Sequence, residues 1–233
     1  MILLETRGIS KRFAGLVAVD NVDFALAQGE IRALIGPNGA GKTTFVGMLS
    51  GRIAPSAGRV HFAGRDITDL PAHRRVKGGI AYTFQITSIF PGLPVAENVA
   101  LAARATGKDG ASVAALERVG LDGLETRLAG DLSYGHQRLL EIAMGIVQSP
   151  RLLILDEPTQ GLAEGEITAF KTLIRTLKAE TTILLIEHNM EVVMESADQV
   201  TVLDAGRRLA EGSPSEIRAN RSVQAAYLGT GNA

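Results

Sequence analysis

Short, nearly continuous apolar runs punctuate the chain at Ile31 to Ile35, Leu152 to Leu155 and Ile183 to Ile186. Each is flanked by polar or turn-forming residues, the pattern of strands buried on both faces of a parallel sheet. Between them, apolar positions recur at helical spacing. Ile167, Phe170, Leu173, Ile174 and Leu177 form one stripe, and Leu139, Leu140, Ala143, Ile146 and Val147 another. Residues three and four apart share a helix face, so these stripes predict amphipathic helices. Strands alternating with helices predict an α/β fold whose parallel sheet is covered on both sides.

Two regions depart from that scheme. Residues 1–30 and 57–84 carry β-like alternation broken by glycine, as in Arg59-Val60-His61-Phe62, and predict an antiparallel β subdomain. Residues 87–149 are rich in Ala and Leu with few β-branched runs, and predict a helical insertion. Near the end, Ser213-Pro214-Ser215-Glu216 has Ser at N-cap, Pro at N1 and Glu at N3, which predicts the start of a last helix. The expected organisation is one domain over 1–233. Its core comprises 1–86 and 150–233, and 87–149 is the helical subdomain.

Composition narrows the class. With 233 residues of which 45% are hydrophobic, the chain has material for a large core, and with aromatics at 4% that core must be aliphatic. There is no cysteine, which excludes disulfides and thiolate metal sites. Basic and acidic residues balance at 24 against 25, so no broad nucleic-acid footprint is expected. The start, Met1-Ile2-Leu3-Leu4-Glu5, lacks the basic and apolar stretches of a signal peptide. The apolar runs fall far short of the roughly 20 residues that span a bilayer. A membrane role would therefore run through a partner.

The most informative local pattern is Gly36-Pro37-Asn38-Gly39-Ala40-Gly41-Lys42-Thr43, followed by Thr44. It comes directly after one predicted strand and before a helix, the context in which this spacing forms a phosphate-binding loop. Glycines let backbone N–H groups turn toward an anion, and the helix that follows points its positive end at it. Lys42 is expected to reach the β- and γ-phosphates, and the Thr43 hydroxyl to ligate Mg²⁺. A dinucleotide fold fails on spacing, because Thr44 stands where a small residue is required and Lys42 intrudes.

Leu152 to Leu155 ends in Asp156-Glu157. Strand ends beside a phosphate loop are where ligands sit in open α/β sheets. Asp156 is expected to hold Mg²⁺, and Glu157 to orient or deprotonate the attacking water.

The order of phosphate loop, Gln85, Leu132-Ser133-Tyr134-Gly135-His136-Gln137, acidic pair and His188 resembles the ABC transporter ATPases over essentially the whole chain. The resemblance implies a P-loop NTPase core with an antiparallel β subdomain and a helical insertion. It also implies roles. Phe13 corresponds to the aromatic that stacks on adenine, with Ala18 beside it. Gln85 corresponds to the glutamine that senses Mg²⁺ and the attacking water. Ser133 and Gly135 correspond to the signature that contacts ATP bound to the opposite subunit, and His188 to the switch histidine near the γ-phosphate. Taken without the family, Ser133 reads first as an ordinary helix N-cap and His188 as a surface or core histidine, while simple packing is the lesser reading for Phe13. The chain departs from the commoner signature at Tyr134, where Gly is usual, and at His136, where Gln is usual. Ala163 stands where many members carry an acid for cross-talk between subunits.

Tyr82-Thr83-Phe84-Gln85, Ile89-Phe90-Pro91-Gly92-Leu93 and Ala226-Tyr227-Leu228-Gly229 are similar to ATPases of branched-chain amino-acid importers and of related urea and amide importers. This implies an ATP-hydrolysing motor, using ATP and Mg²⁺, peripheral on the inner face of the plasma membrane. Its expected partners are a second ATPase subunit, identical or related, integral membrane permeases and, indirectly, a solute-binding protein. Ile86, Ile89, Phe90 and Leu93 are expected to expose apolar surface to the permease. An exporter motor, as in lipopolysaccharide transport, remains an alternative, because motors of both directions look alike. A soluble ABC ATPase acting on DNA or ribosomes would carry two cassettes, a coiled-coil arm or zinc-binding cysteines. A regulatory binder that does not hydrolyse would not need Glu157.

Overall fold

A computed structural model describes residues 1–83, 88–108 and 110–228. Along the chain run β1 (Ile2–Phe13), β2 (Leu16–Ala27), β3 (Ile31–Ile35), α1 (Lys42–Ser50), β4 (Ala57–Phe62), β5 (Arg65–Asp66), α2 (Ala72–Lys77) and β6 (Ile80–Thr83). There follow α3 (Val95–Arg104), α4 (Ser112–Arg118), α5 (Tyr134–Ile146), β7 (Leu152–Asp156), α6 (Glu164–Leu177) and β8 (Thr182–Ile186). The chain closes with α7 (Met190–Ser196), β9 (Gln199–Asp204), β10 (Arg207–Gly212), α8 (Pro214–Ala219) and α9 (Arg221–Leu228). Contacts group into two compact units, Met1–Arg75 with Leu184–Ala233, and Val76–Ile183. Among the described residues no helix is long and apolar enough to cross a membrane.

The first unit holds an antiparallel sheet in the order β2-β1-β4-β5. A tight hairpin pairs Phe13 with Leu16. The predicted β subdomain is therefore present, but within 57–84 residues 72–77 form the helix α2 and residues 80–83 pair with β7 instead, so neither belongs to it. Beside this sheet, β3 and β9 run parallel, with Arg32 opposite Gln199 and Ile35 opposite Val202. Every residue of β3 is buried, Arg32 included. A guanidinium is tolerated there because Glu30 and Glu211 pair with it at 2.5 and 2.7 Å and it lies 5.6 Å from the centre of the Phe24 ring. Phe24 in turn meets Phe45 of α1 edge-on, at 5.5 Å, which seats the helix that follows the phosphate loop.

Ser213 caps α8 as its sequence requires. The Glu216 N–H donates to Ser213 Oγ, and Glu216 Oε2 accepts from the Ser213 N–H at 2.7 Å. The helix is not the last, because α9 follows. Ala33, Ile35, Val193, Val200, Val202, Ile217 and Val223 form a continuous apolar cluster that joins β3 and β9 to the C-terminal helices.

In the second unit β6 and β7 pair in parallel, from Ile80 opposite Leu152 to Thr83 opposite Leu155. This corrects the antiparallel expectation for residues 80–83. Ile80 and Ala81 are buried and β7 is buried throughout. α6 buries Phe170, Ile174 and Leu177, and α5 buries Leu140, Ala143 and Ile146, the predicted stripes. Asn98, fully buried on α3, holds the preceding turn. It accepts from the Phe90 N–H at 2.7 Å and donates to the carbonyls of Phe90 and Pro94 at 3.1 and 3.0 Å. Phe90 consequently stands 52% exposed, while Ile89 and Leu93 are half-buried.

Candidate functional site

In the first unit, β3 delivers the chain into Gly36 and α1 begins at Lys42. Residues 38 and 39 form the exposed tip, Pro37 and Ala40 are buried, Thr43 is exposed and Thr44 is half-buried. Glycine is required at both ends of this loop. A Cβ at Gly36 would overlap the Leu203 carbonyl oxygen, and one at Gly41 the Ala18 carbonyl oxygen. Gly41 also has φ 95°, a left-handed conformation that glycine adopts without strain. The Gly206 N–H donates to the Ala40 carbonyl at 3.1 Å. The loop is thus held from outside by the backbones of β2 and of the β9–β10 turn.

α1 has no side-chain cap and no acidic residue in its first turn. Its amino end therefore presents backbone amides and the positive end of the helix dipole to an anion. Lys42 Nζ lies across the loop and donates to the carbonyls of Gly36 and Pro37 at 2.6 and 3.0 Å. A lysine, uncapped amides and a hydroxyl at Thr43 form a donor set for polyphosphate.

Phe13 ends β1, 45% exposed, with Lys11 Nζ 5.0 Å from its ring centre. Ala18 lies on the paired strand, where its carbonyl touches the loop at Gly41. His188 is exposed just beyond β8. Its neighbour Glu187 belongs to no sequence pattern. That carboxylate is buried and accepts from the N–H groups of His188 and Asn189, each at 2.9 Å. It fixes the turn that carries the histidine.

In the second unit, Asp156 ends β7 with 3% exposure, and the Tyr82 hydroxyl donates to its carboxylate. Glu157 follows at φ 49°, a left-handed conformation that costs a non-glycine residue about 1–3 kcal/mol. This is a local constraint that composition and spacing did not reveal. A carboxylate oxygen such as that of Asp156 is of the type that suits Mg²⁺, a hard cation bound through few protein ligands. Among the described residues no cluster of three or more His, Cys, Asp or Glu side chains is arranged to bind a metal.

Ser133 is the N-cap of α5, its Oγ accepting from the His136 N–H at 3.2 Å. The N-cap reading and a role at an exposed helix start are both consistent with this placement. Gly135 is buried, and a Cβ there would overlap the Glu166 carboxylate. Between them Tyr134 is held by Arg138, whose Nη2 donates to the phenol oxygen at 2.9 Å. Arg138 Nη1 pairs with Glu141 at 2.9 Å, and Glu141 accepts from the Ser88 N–H at 2.6 Å. Burial pushes the Glu141 carboxyl above its usual value, against the Ser88 and Arg138 contacts that lower it. The sequence alone does not specify this network, because an arginine and a glutamate three apart on a helix look like a solvated face. Gln85 and Ile86 lie outside the described residues.

The profile of the ABC transporter family matches residues 19–160. The chain belongs to the ABC transporter family. As a member it is an ATP-binding cassette that hydrolyses ATP. A second profile, described as branched-chain amino acid ATP-binding cassette transporter, matches residues 207–233 of the cassette. The cassette is 38% identical to the high-affinity branched-chain amino acid transport ATP-binding protein BraF of Pseudomonas aeruginosa, over 97% of this chain and 98% of that one. It is 39% identical to LivG of Escherichia coli, which carries the same description, with the same coverage. Among solved structures it is similar to the ADP conformation of MJ1267, an ATP-binding cassette of an ABC transporter. There the TM-score is 0.90 and the identity 29%, covering 98% of this chain and 99% of that one. A nucleotide-free ATP-binding cassette from an ABC transporter gives a TM-score of 0.89 and 28% identity, over 97% of this chain and 99% of that one.

Proposed function

We propose that this cassette is the motor subunit of an importer for branched-chain amino acids or related small polar solutes. The observation that carries the reading is full-length similarity to BraF and LivG, supported by the C-terminal match to a branched-chain profile. It works from the inner face of the plasma membrane on separate permease subunits, fed by a solute-binding protein. The helical subdomain 87–149 receives the permease, and Phe90 with Ile89 and Leu93 supplies apolar contact.

In this reading Phe13 stacks on adenine beside Ala18. The amides of Gly36 to Thr44 and the Lys42 ammonium bind the phosphates. Thr43, Gln85 and Asp156 would hold Mg²⁺, which supplies neutralisation of phosphate charge when bound. Glu157 accepts the proton of the attacking water, and Gln85 and His188 orient the reacting groups. Ser133 and Gly135 contact the ATP of a second cassette, identical or related, so that two chains enclose two nucleotides.

Uptake tests the cargo. In cells lacking this chain, labelled leucine uptake should return with the parent and not with Glu157→Gln. Restoration of urea or amide uptake instead would reassign the cargo, and restoration of neither would reject import of these solutes. Mixing tests the shared site. Ser133→Ala and Lys42→Ala cassettes, each inactive by itself, should together regain a fraction of parental ATPase activity, through mixed pairs that keep one intact site. A mixture as inactive as its components would exclude action of Ser133 across the pair.

A further inference from the structure

Ser133 and Gly135 flank Tyr134 at the start of α5, and a chain of contacts holds that tyrosine in place. Its side chain is exposed, yet the hydroxyl accepts from Arg138 Nη2 at 2.9 Å and the guanidinium carbon stands 5.3 Å from the ring centre. Arg138 and Glu141 are buried and pair at 2.9 Å through Glu141 Oε2. The other carboxylate oxygen reaches off the helix, where Oε1 accepts from the Ser88 N–H at 2.6 Å. The contacts therefore run from the backbone at residue 88, through two buried charges, to the middle of the signature.

The same turn grips the other flank of the signature. The Gly130 N–H donates to the Pro91 carbonyl and the Ala129 N–H to the Leu93 carbonyl, each at 2.9 Å. Gly130 lies so close to Pro91 that a Cβ would stand 3.0 Å from the carbonyl oxygen. Residues 129 and 130 lead into Leu132-Ser133. Residues 88–93 thus hold the segment before the signature by backbone bonds and the helix after it by side chains.

A buried ion pair is a weak source of stability, because desolvation of both charges offsets their attraction. What charged hydrogen bonds supply at such a site is direction. Arg138 and Glu141 stand three apart on one helix and could pair without help, but they also reach Tyr134 and Ser88. We propose that Arg138 and Glu141 are positioning residues for the signature: they tie Tyr134 to the backbone at Ser88 and so hold Ser133 and Gly135 in the orientation that meets the second cassette's ATP. This rests on the reading of Ser133 and Gly135 as a site shared across the pair.

The test uses full-length Glu157→Gln, in which the ATP-bound pair should persist, as the parent. To it are added Tyr134→Phe, Arg138→Met together with Glu141→Leu, or Ser133→Ala. Gel filtration at increasing ATP reads pairing. ADP titration reads the cassette's own phosphate loop, which belongs to the other unit, and a thermal melt reads the fold. Tyr134→Phe removes the hydroxyl that Arg138 reaches and keeps the exposed ring. It should melt within about 3 °C of the parent, bind ADP within about 2-fold of it, and need ~2–10-fold more ATP for half-maximal pairing, the size of one lost hydrogen bond. Arg138→Met with Glu141→Leu replaces the ion pair by apolar groups of similar volume. It should melt no lower than the parent and bind ADP like it, yet need ~10-fold more ATP or above, because the links to Tyr134 and Ser88 are both lost. A parental ATP requirement in either variant would overturn the proposal. So would a raised requirement accompanied by equally weakened ADP binding and a lower melt, the mark of a loosened fold. If Ser133→Ala pairs like the parent, or the parent itself does not pair, the shared-site reading fails first and the proposal with it, which separates the two failures.

Discussion

Lys42→Ala is expected to weaken ATP binding by ~10²-fold or more and to remove measurable turnover. Hydrogen bonds to charged groups contribute about 1.5–3 kcal/mol each, and a lysine that meets two phosphates loses both when truncated. The phosphates would also face the loop without the charge that balances them. The contacts within the loop give the substitution a second signature. Lys42 Nζ bonds the Gly36 and Pro37 carbonyls, so its removal strips two donors from the loop and should lower stability by about 1–2 kcal/mol. The fold itself should persist, since Phe24, Phe45 and the strands around them are untouched. Isothermal titration with ATP and Mg²⁺, beside a thermal melt, reads both effects. Undiminished affinity would move the nucleotide away from this loop.

Glu157→Gln should bind ATP like the parent and lose ~10²–10⁴-fold in kcat, the range ascribed to a positioned general base. Glutamine keeps the size and the hydrogen-bonding geometry but cannot accept the proton. The backbone supports a functional rather than a structural role. A residue at φ 49° sits in a conformation that glycine or asparagine adopts at lower cost, so stability alone does not favour glutamate here. With hydrolysis blocked, the paired cassettes should stay closed around ATP and elute as a dimer on gel filtration. Parental turnover in the variant would strip Glu157 of its role.

What could be read from the sequence divides along physical lines. The buried strands β3, β7 and β8 and the stripes of α5 and α6 were legible, because burial on both faces or on one face leaves a period in the residues. The loop from Gly36 to Thr44 was legible because its residue types recur at fixed offsets, and the cap at Ser213 because one short motif specifies it. Partnership across long separations was not. Ile80 to Thr83 carries the residues of a strand, but nothing in it says that its partner begins at Leu152 and runs parallel. Arg138, Glu141 and Arg32 are charged residues that burial and pairing hide from any pattern of hydrophobic positions. Tyr227 could be singled out as part of a terminal motif, but its packing against the cluster that contains Ile35 depends on how α8 and α9 fold back on β9 and β10.

The ring of Tyr134 lies against Gly161, where a Cβ would stand 2.7 Å from the ring's Cε1 and φ is +78°. The two positions are therefore not free to drift separately. Any side chain acquired at 161 must await a smaller residue at 134, whereas glycine at 134 would leave a slot beside 161 for another group to fill. Lineages that carry the bulky signature should thus retain the bare backbone opposite it, and grafting Tyr134 onto a cassette without that glycine should fail until both are exchanged together.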